Sequence, residues 1–189
     1  MPLEGKIVIL REEQPEDMPR LAALQNNMES QAWGKSLPPD YTENMYLKRF
    51  QDREFSYDPK EGRFIIVSKE TGEFAGMILY SELRPRWSAM LGIMMDKQYW
   101  GSGYASDAQE VLLKFLFLEL GLRVIRIYTS SGRTHAINLA KKSGFRVSAG
   151  QRQAVFRKGE MNDALLMDLL REEYFTNHPD LVDNLPRIG

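Results

Sequence analysis

The spacing of apolar and polar positions changes several times along the chain, and each change marks an element. Ile7–Leu10 is a short apolar run and predicts a strand. Pro15 opens a stretch in which Leu21, Leu24 and Met28 fall on one helical face. Residues 30–40, SQAWGKSLPPD, carry Gly34, Pro38 and Pro39 and read as loop. Tyr41–Asp52 is again helical, with Met45 and Phe50 to one side. Phe64–Ser68 predicts a strand, Thr71-Gly72 a turn, and Phe74–Leu83 a second strand. Arg84–Trp87 then turns the chain into a third strand, Ser88–Met95.

After the stretch QYWGSGYASDA, residues 98–108, the spacing predicts a helix from about Tyr104 to Leu120. Its second half, VLLKFLFLEL, is apolar nearly all round, as suits a helix buried against a sheet, and Gly121 ends it. Val124–Thr129 reads as a strand, and Thr134–Ser143 as a helix stopped by Gly144. Strands over Phe145–Gln151 and Ala164–Leu170 follow, with KGEMND between them as loop. Residues 171–189 contain two prolines and little periodicity, so we expect a domain over 1–175 and a C-terminal tail over 176–189 that lies on the surface or reaches a neighbour. The element order predicts one mixed α/β domain. The three strands of 64–95 should be antiparallel, and the passage over 88–129 a right-handed parallel crossover.

Composition removes several chemistries. The 189 residues include no cysteine, which excludes disulfides, thiolate zinc sites and a cysteine nucleophile. The two histidines lie far apart, so no metal site is expected. No apolar run reaches the ~18 residues of a membrane span, and the start lacks the pattern of a secretory leader. The expectation is a cytoplasmic protein with no membrane partner. Net charge is −1, but residues 121–160 carry nine basic side chains and one acidic, Glu160. That block is either a surface for a phosphorylated ligand or a solvated basic face. No basic stripe interleaved with aromatics appears, so nucleic acid is not expected.

Gly101 and Gly103 stand where a predicted strand gives way to a buried helix. A helix N-terminus leaves backbone N–H groups unpaired and carries partial positive charge, so an oxygen-rich anion binds there if no side chains crowd it. Ser102 and Ser106 add hydroxyls. The alternative is a tight turn that needs glycine for its backbone angles alone. The Rossmann fingerprint fails, because Ser106 stands at its third glycine, and no GK[ST] ending exists for a Walker loop.

Gln98-x-x-Gly101-x-Gly103-Tyr104-Ala105, following the strand LGIMMD, resembles the [QR]xxGxG[YF]A signature of Gcn5-related N-acetyltransferases (GNAT). KKSGF, ending at Phe145, resembles a second marker of that family. The resemblance extends over nearly the whole chain. It implies the acyl-CoA N-acyltransferase fold, a mostly antiparallel central sheet flanked by helices and splayed in the middle. It implies acetyl-CoA as co-substrate and direct transfer to a primary amine, on a protein N-terminus or a small molecule. The opening strand and the loop with Trp33 and its prolines resemble the branch that acetylates ribosomal-protein N-termini and related amines. By the same resemblance, Gln98, Gly101, Ser102, Gly103, Tyr104, Ala105 and Ser106 would hold the coenzyme pyrophosphate. The backbone of Ile93, Met94 and Met95 would hold the pantetheine arm. Arg133, where the family commonly has asparagine, would meet a coenzyme phosphate or belong to the basic block.

The sequence departs from the family where proton transfer is usually handled. Met90 stands at the usual glutamate position and Ala140 at the usual tyrosine position. Glu82 is then a candidate base or a solvated strand-end carboxylate, and Tyr128 a candidate acid or a packing residue. His135 reads as exposed at a helix start. Trp33 and Tyr41 line an acceptor cleft or pack in the core. Polyamine or aminoglycoside acetylation, and a non-catalytic acyl-CoA sensor, are the alternative functions, and a homodimer is compatible with either.

Overall fold

The computed structural model describes residues 2–27, 41–55, 60–157 and 159–183. One eight-stranded sheet runs through it in the order β1-β2-β3-β4-β5-β6-β8-β7. Its strands are β1 (Leu3–Glu4), β2 (Val8–Arg11), β3 (Gly62–Ser68), β4 (Phe74–Arg84), β5 (Ser88–Met95), β6 (Val124–Ser130), β7 (Arg146–Arg157) and β8 (Glu160–Leu170). All neighbours are antiparallel except β5 and β6. The mixed, mostly antiparallel sheet expected from the element order is what the chain forms.

Six helices accompany the strands among the described residues: α1 (Met18–Asn26), α2 (Glu43–Phe55), α3 (Tyr104–Lys114), α4 (Thr134–Lys142), α5 (Arg171–Asn177) and α6 (Pro179–Asp183). Alternation along the strands sends side chains to two faces, and each face has its own core. On one face Ala89, Leu91, Ile125, Met167 and Leu169 pack against Leu112, Leu113, Leu116 and Phe117 of the α3 region. On the other, Met77 and Met94 pack with Met18, Leu21 and Leu24 of α1 and Tyr46 of α2. Burial pushes the Tyr46 hydroxyl up to about 12, because removal from water disfavours its anion.

Three regions differ from the sequence-based expectation. The long helix does not stay α to Leu120: Phe115–Glu119 form a π turn, and its Phe117 carbonyl accepts a bond from the Arg171 guanidinium. The loop expected over KGEMND is largely strand, because β7 and β8 run six and four residues beyond their expected ends. The chain from Arg171, expected to be aperiodic, forms α5 and α6. Tyr174 explains that docking: it is fully buried, stacks on Phe117 at 4.8 Å and donates to Glu110 Oε1 at 2.8 Å. Met28 and the 30–40 loop lie outside the described residues.

Candidate active site

β5 and β6 begin side by side and then part. They pair only through Ser88–Met90 and Val124–Arg126. Beyond Met90, β5 stays paired with β4 as far as Met95, while β6 stays paired with β8 as far as Ser130. The sheet is therefore splayed at its middle, with two unpaired strand edges facing each other.

The hydrogen-bond phase identifies the main-chain groups on those edges. Asp96 N donates to Ala75 O at 2.8 Å, so antiparallel alternation turns Met94, Gly92 and Met90 toward β4. Leu91, Ile93 and Met95 present their N–H and C=O to the other edge. Met95 O already accepts the Trp100 indole N–H at 3.1 Å. Of the triplet expected to carry the pantetheine arm, Ile93 thus offers both groups to the gap, Met95 its N–H, and Met94 neither. On the facing wall, Ser131 N donates to Asp163 O at 2.9 Å, which turns the main chain of Tyr128 and Ser130 into the gap.

The glycine turn stands at the top of the β5 wall. Gly103 is the N-cap of α3 at φ 89° and ψ −9°, and Gly101 has φ 76°. Both lie in the left-handed region that side chains disfavour, so the turn needs glycine for geometry. It also has open space. A Cβ on Gly101 would meet nothing within 4 Å, and one on Gly103 only Ile7 Cδ1 at 3.8 Å. Among the described residues, no main-chain or side-chain acceptor takes the N–H of Gly101, Gly103, Ala105 or Ser106. Free donors at a positive helix end are the groups that an anion site uses.

The side chains of the turn hold it in place. Ser102 Oγ donates to Tyr99 O at 2.5 Å, and the Tyr104 hydroxyl donates to Ser68 Oγ at 3.1 Å. Tyr99 lies against Tyr104 at 5.0 Å and donates to Glu73 at 3.2 Å; burial and that carboxylate raise its pKa. Gln98 is exposed, its N–H bonded to Asp96 Oδ1 at 3.2 Å. Asp107, in the first turn of α3, accepts from the main-chain N–H of Lys6, Ile7 and Val8 at 3.1, 2.7 and 3.0 Å. It bolts the helix start to the β1–β2 turn. Gly5 is required there, since a Cβ would lie 2.4 Å from Asp107 Oδ2.

The other sequence candidates are scattered around the splay. Arg133 is the N-cap of α4 and half-buried; burial, then the charge of Arg157, lowers its pKa. Among the described residues it has no acidic partner within ion-pair distance. Tyr128 is half exposed on the splayed part of β6. Glu82 is exposed at φ 52°, where the β4–β5 register slips between Ser81 and Arg84. It is one strand away from the gap, at the level where β5 and β6 still pair. No hydrogen bond or ion pair joins Glu82 to Tyr128. Met90 and Ala140, at the family's usual acid–base positions, are respectively half-buried and fully buried, and neither can carry a proton. His135 is exposed, as its place at a helix start suggested. Tyr41 is held by Asn26, whose amide brackets its N–H and C=O at 3.0 and 2.7 Å, and packs on Tyr46 at 6.0 Å. Trp33 lies outside the described residues.

Two further buried polar groups, one on α1 against Met94 and one on β6, escaped the sequence reading. Gln25 is 3 % exposed; its Nε2 reaches only Met94 Sδ at 3.4 Å, and its Oε1 has no partner among the described residues. The buried Thr129 Oγ1, on the splayed part of β6, is likewise unpartnered there. Neither carries a sequence signal, because being orphaned depends on tertiary surroundings.

A family model described as the acetyltransferase (GNAT) domain matches residues 8–146. Spermidine N(1)-acetyltransferase of Escherichia coli (strain K12) is 25% identical over 172 residues, covering 90% of each chain. An uncharacterized N-acetyltransferase, YokL, of Bacillus subtilis (strain 168) is 28% identical over 180 residues, 92% of this chain and 96% of its own. Among solved structures, spermidine N-acetyltransferase from Vibrio cholerae, in complex with CoA and spermine, superposes with a TM-score of 0.80 at 20% identity, covering 90% of this chain and 99% of that one.

Proposed function

The chain belongs to the acetyltransferase (GNAT) domain family, and from that premise we propose that it moves the acetyl group of acetyl-CoA to a primary amine of a small polyamine. The single observation that carries the cofactor half is the glycine turn, with four N–H groups unpaired among the described residues, beside open space at the end of a splayed strand. Gly101, Gly103, Ala105 and Ser106 hold the pyrophosphate by their main chain, while Gln98, Ser102 and Tyr104 keep the turn in shape. The free edge of Ile93 and Met95 pairs with the amide groups of the pantetheine arm. Arg133, charged and without an acidic partner among the described residues, meets a coenzyme phosphate.

Bound acetyl-CoA supplies the activated acyl group. The amine attacks the thioester carbonyl without an acyl-enzyme, the chain having no cysteine, and main-chain N–H groups on the β5 edge stabilise the oxyanion. The amine must arrive unprotonated and the thiolate must leave. Glu82 is the assigned base, reaching the amine through water, and Tyr128 the acid at the sulfur. The polyamine half is supported by the spermidine acetyltransferases among the relatives. The protein N-terminus reading stands only on the resemblance of the opening strand and of the loop with Trp33, and Tyr41 is assigned to packing rather than to the acceptor. We place the enzyme in the cytoplasm; among the described residues no helix is long and apolar enough to cross a membrane.

Thiol release from acetyl-CoA over spermidine, spermine, an aminoglycoside and an N-terminal peptide tests the proposal. Turnover with spermidine or spermine well above the other two is the expected result. Peptide turnover above polyamine turnover would overturn the acceptor, and acetyl-CoA binding with no thiol release in the presence of any amine would make the chain a sensor.

A further inference from the structure

One buried hydroxyl on the β6 side of the splay has no partner. Thr129 is 4 % exposed, and its Oγ1 makes no hydrogen bond among the described residues. The hydroxyls that follow it are accounted for: Ser130 Oγ accepts the Gly132 N–H at 3.3 Å, and Ser131 Oγ accepts the Asp163 N–H at 3.0 Å. Side chains alternate along β6, and Ile125 and Ile127 lie in the core on the α3 face, so Thr129 shares their side of the sheet. That core brings Ile93 and Met95 of β5 together with Ala108 of α3 and Ile137 and Ala140 of α4, none of which carries a side-chain N–H, O–H or oxygen. Valine would fill the same volume, with the same preference for a strand and without the hydroxyl. A hydroxyl buried without a partner opposes folding, so the fold alone gives no reason for this one.

The strand register identifies what stands opposite. β5 and β6 are parallel, and Met90 is level with Arg126 at the last pair before the splay. Three residues further along each strand, about 10 Å, Ile93 is level with Thr129 across the gap. Ile93 is the β5 residue whose N–H and C=O both face that gap. We infer, on the strength of the acetyl-CoA reading, that the Thr129 hydroxyl donates to an amide carbonyl of the pantetheine arm where the arm passes Ile93. A carbonyl that accepts from the β5 edge keeps a second lone pair, and Thr129 brings a side-chain donor to the facing wall at the same level. Held from both walls, the arm has a fixed depth in the gap, and the thioester with it. The bound coenzyme then supplies the partner that the folded chain withholds from this hydroxyl.

Titration of acetyl-CoA and of acetyl-pantetheine into the parent, Thr129→Val and Thr129→Ser proteins tests this, beside melting curves of each protein without ligand. Thr129→Val should weaken both ligands by the same factor, about three- to tenfold, as the loss of one hydrogen bond does. Thr129→Ser keeps the hydroxyl and should bind both much as the parent does. Without ligand, Thr129→Val should melt no lower than the parent, because the substitution removes a buried group that nothing satisfies. Undiminished affinity in Thr129→Val would overturn the inference, as would a loss for acetyl-CoA that acetyl-pantetheine does not share. A lower melting temperature for ligand-free Thr129→Val would also overturn it, by showing that the hydroxyl serves the fold. A parent protein that binds neither ligand would overturn the acetyl-CoA reading itself, and this bond with it.

Discussion

Two helix ends in this protein use glycine for the same backbone reason and with opposite surroundings. Gly103, before α3, has φ 89°, and Gly144, after α4, has φ 95°. A Cβ on Gly144 would press on Asn177 Nδ2 at 3.1 Å and Leu169 Cδ1 at 3.3 Å, so the protein itself fills the space a side chain would take. A Cβ on Gly103 would find only Ile7 Cδ1, at 3.8 Å. The Gly144 turn is closed, its N–H bonded to Lys141 O at 3.0 Å and the following Phe145 N–H to Ala140 O at 3.0 Å. At the Gly103 turn the N–H groups of Gly101, Gly103, Ala105 and Ser106 have no acceptor among the described residues. Positive φ alone does not distinguish a structural glycine from a functional one. What distinguishes them is whether the donors and the space are used up by the fold.

The largest expected effect separates the two turns by substitution. Gly103→Val puts a branched side chain in the left-handed region and in the space above the helix end, and should weaken acetyl-CoA binding on the order of 10²-fold or more. Gly144→Val is strained in the same way and also clashes, so it should melt several degrees lower while its folded fraction binds acetyl-CoA as the parent does. Melts and calorimetric titrations on both variants check the crossed pattern; equal losses of affinity would break the comparison.

Turnover should respond on the same scale elsewhere. Glu82→Gln and Tyr128→Phe are expected to lower it by about 10²–10⁴-fold with acetyl-CoA affinity unchanged. Steady-state rates with spermidine decide this, and full activity in both would transfer catalysis to positioning alone.

Asp107→Ala sharpens the comparison from behind the turn. It leaves three main-chain N–H groups of the β1–β2 turn without their acceptor, at a cost of about 2 kcal/mol. That corresponds to roughly 4–8 °C in Tm for a chain of this size, with weaker acetyl-CoA binding because the helix start loosens. Unchanged melting would show that the bolt is not needed.

Ser102→Ala should be the mildest, on the order of 1 kcal/mol in stability and little in affinity, since its hydroxyl serves Tyr99 O. A large loss of affinity instead would mean that the site is made by side chains.

Where one face of a strand is buried, the sequence carried the architecture in its spacing. Ser88–Met95 was placed to the residue, and β4 to within one. The glycine turn was legible because Gly101 and Gly103 interrupt apolar runs at a strand–helix junction. The β7–β8 arm was read too short because both its faces are exposed, which removes the alternation that betrays a strand. The C-terminal helices were missed because α5 and α6 are short and Tyr174 docks by a single buried ring. Asp107 looks like any acid near a helix start. Its partners lie about a hundred residues away, and no local pattern announces them.

In the proposed function, main-chain donors at the start of α3 bind the coenzyme pyrophosphate. Titrating acetyl-CoA and acetyl-pantetheine, which lacks the pyrophosphate and nucleotide, into the parent and Gly103→Val proteins tests it most directly. The expected result is that the parent prefers acetyl-CoA by on the order of 10²-fold, that the substitution removes most of this preference, and that acetyl-pantetheine affinity is unmoved. A Gly103→Val protein that is folded and keeps the full preference for acetyl-CoA would contradict it.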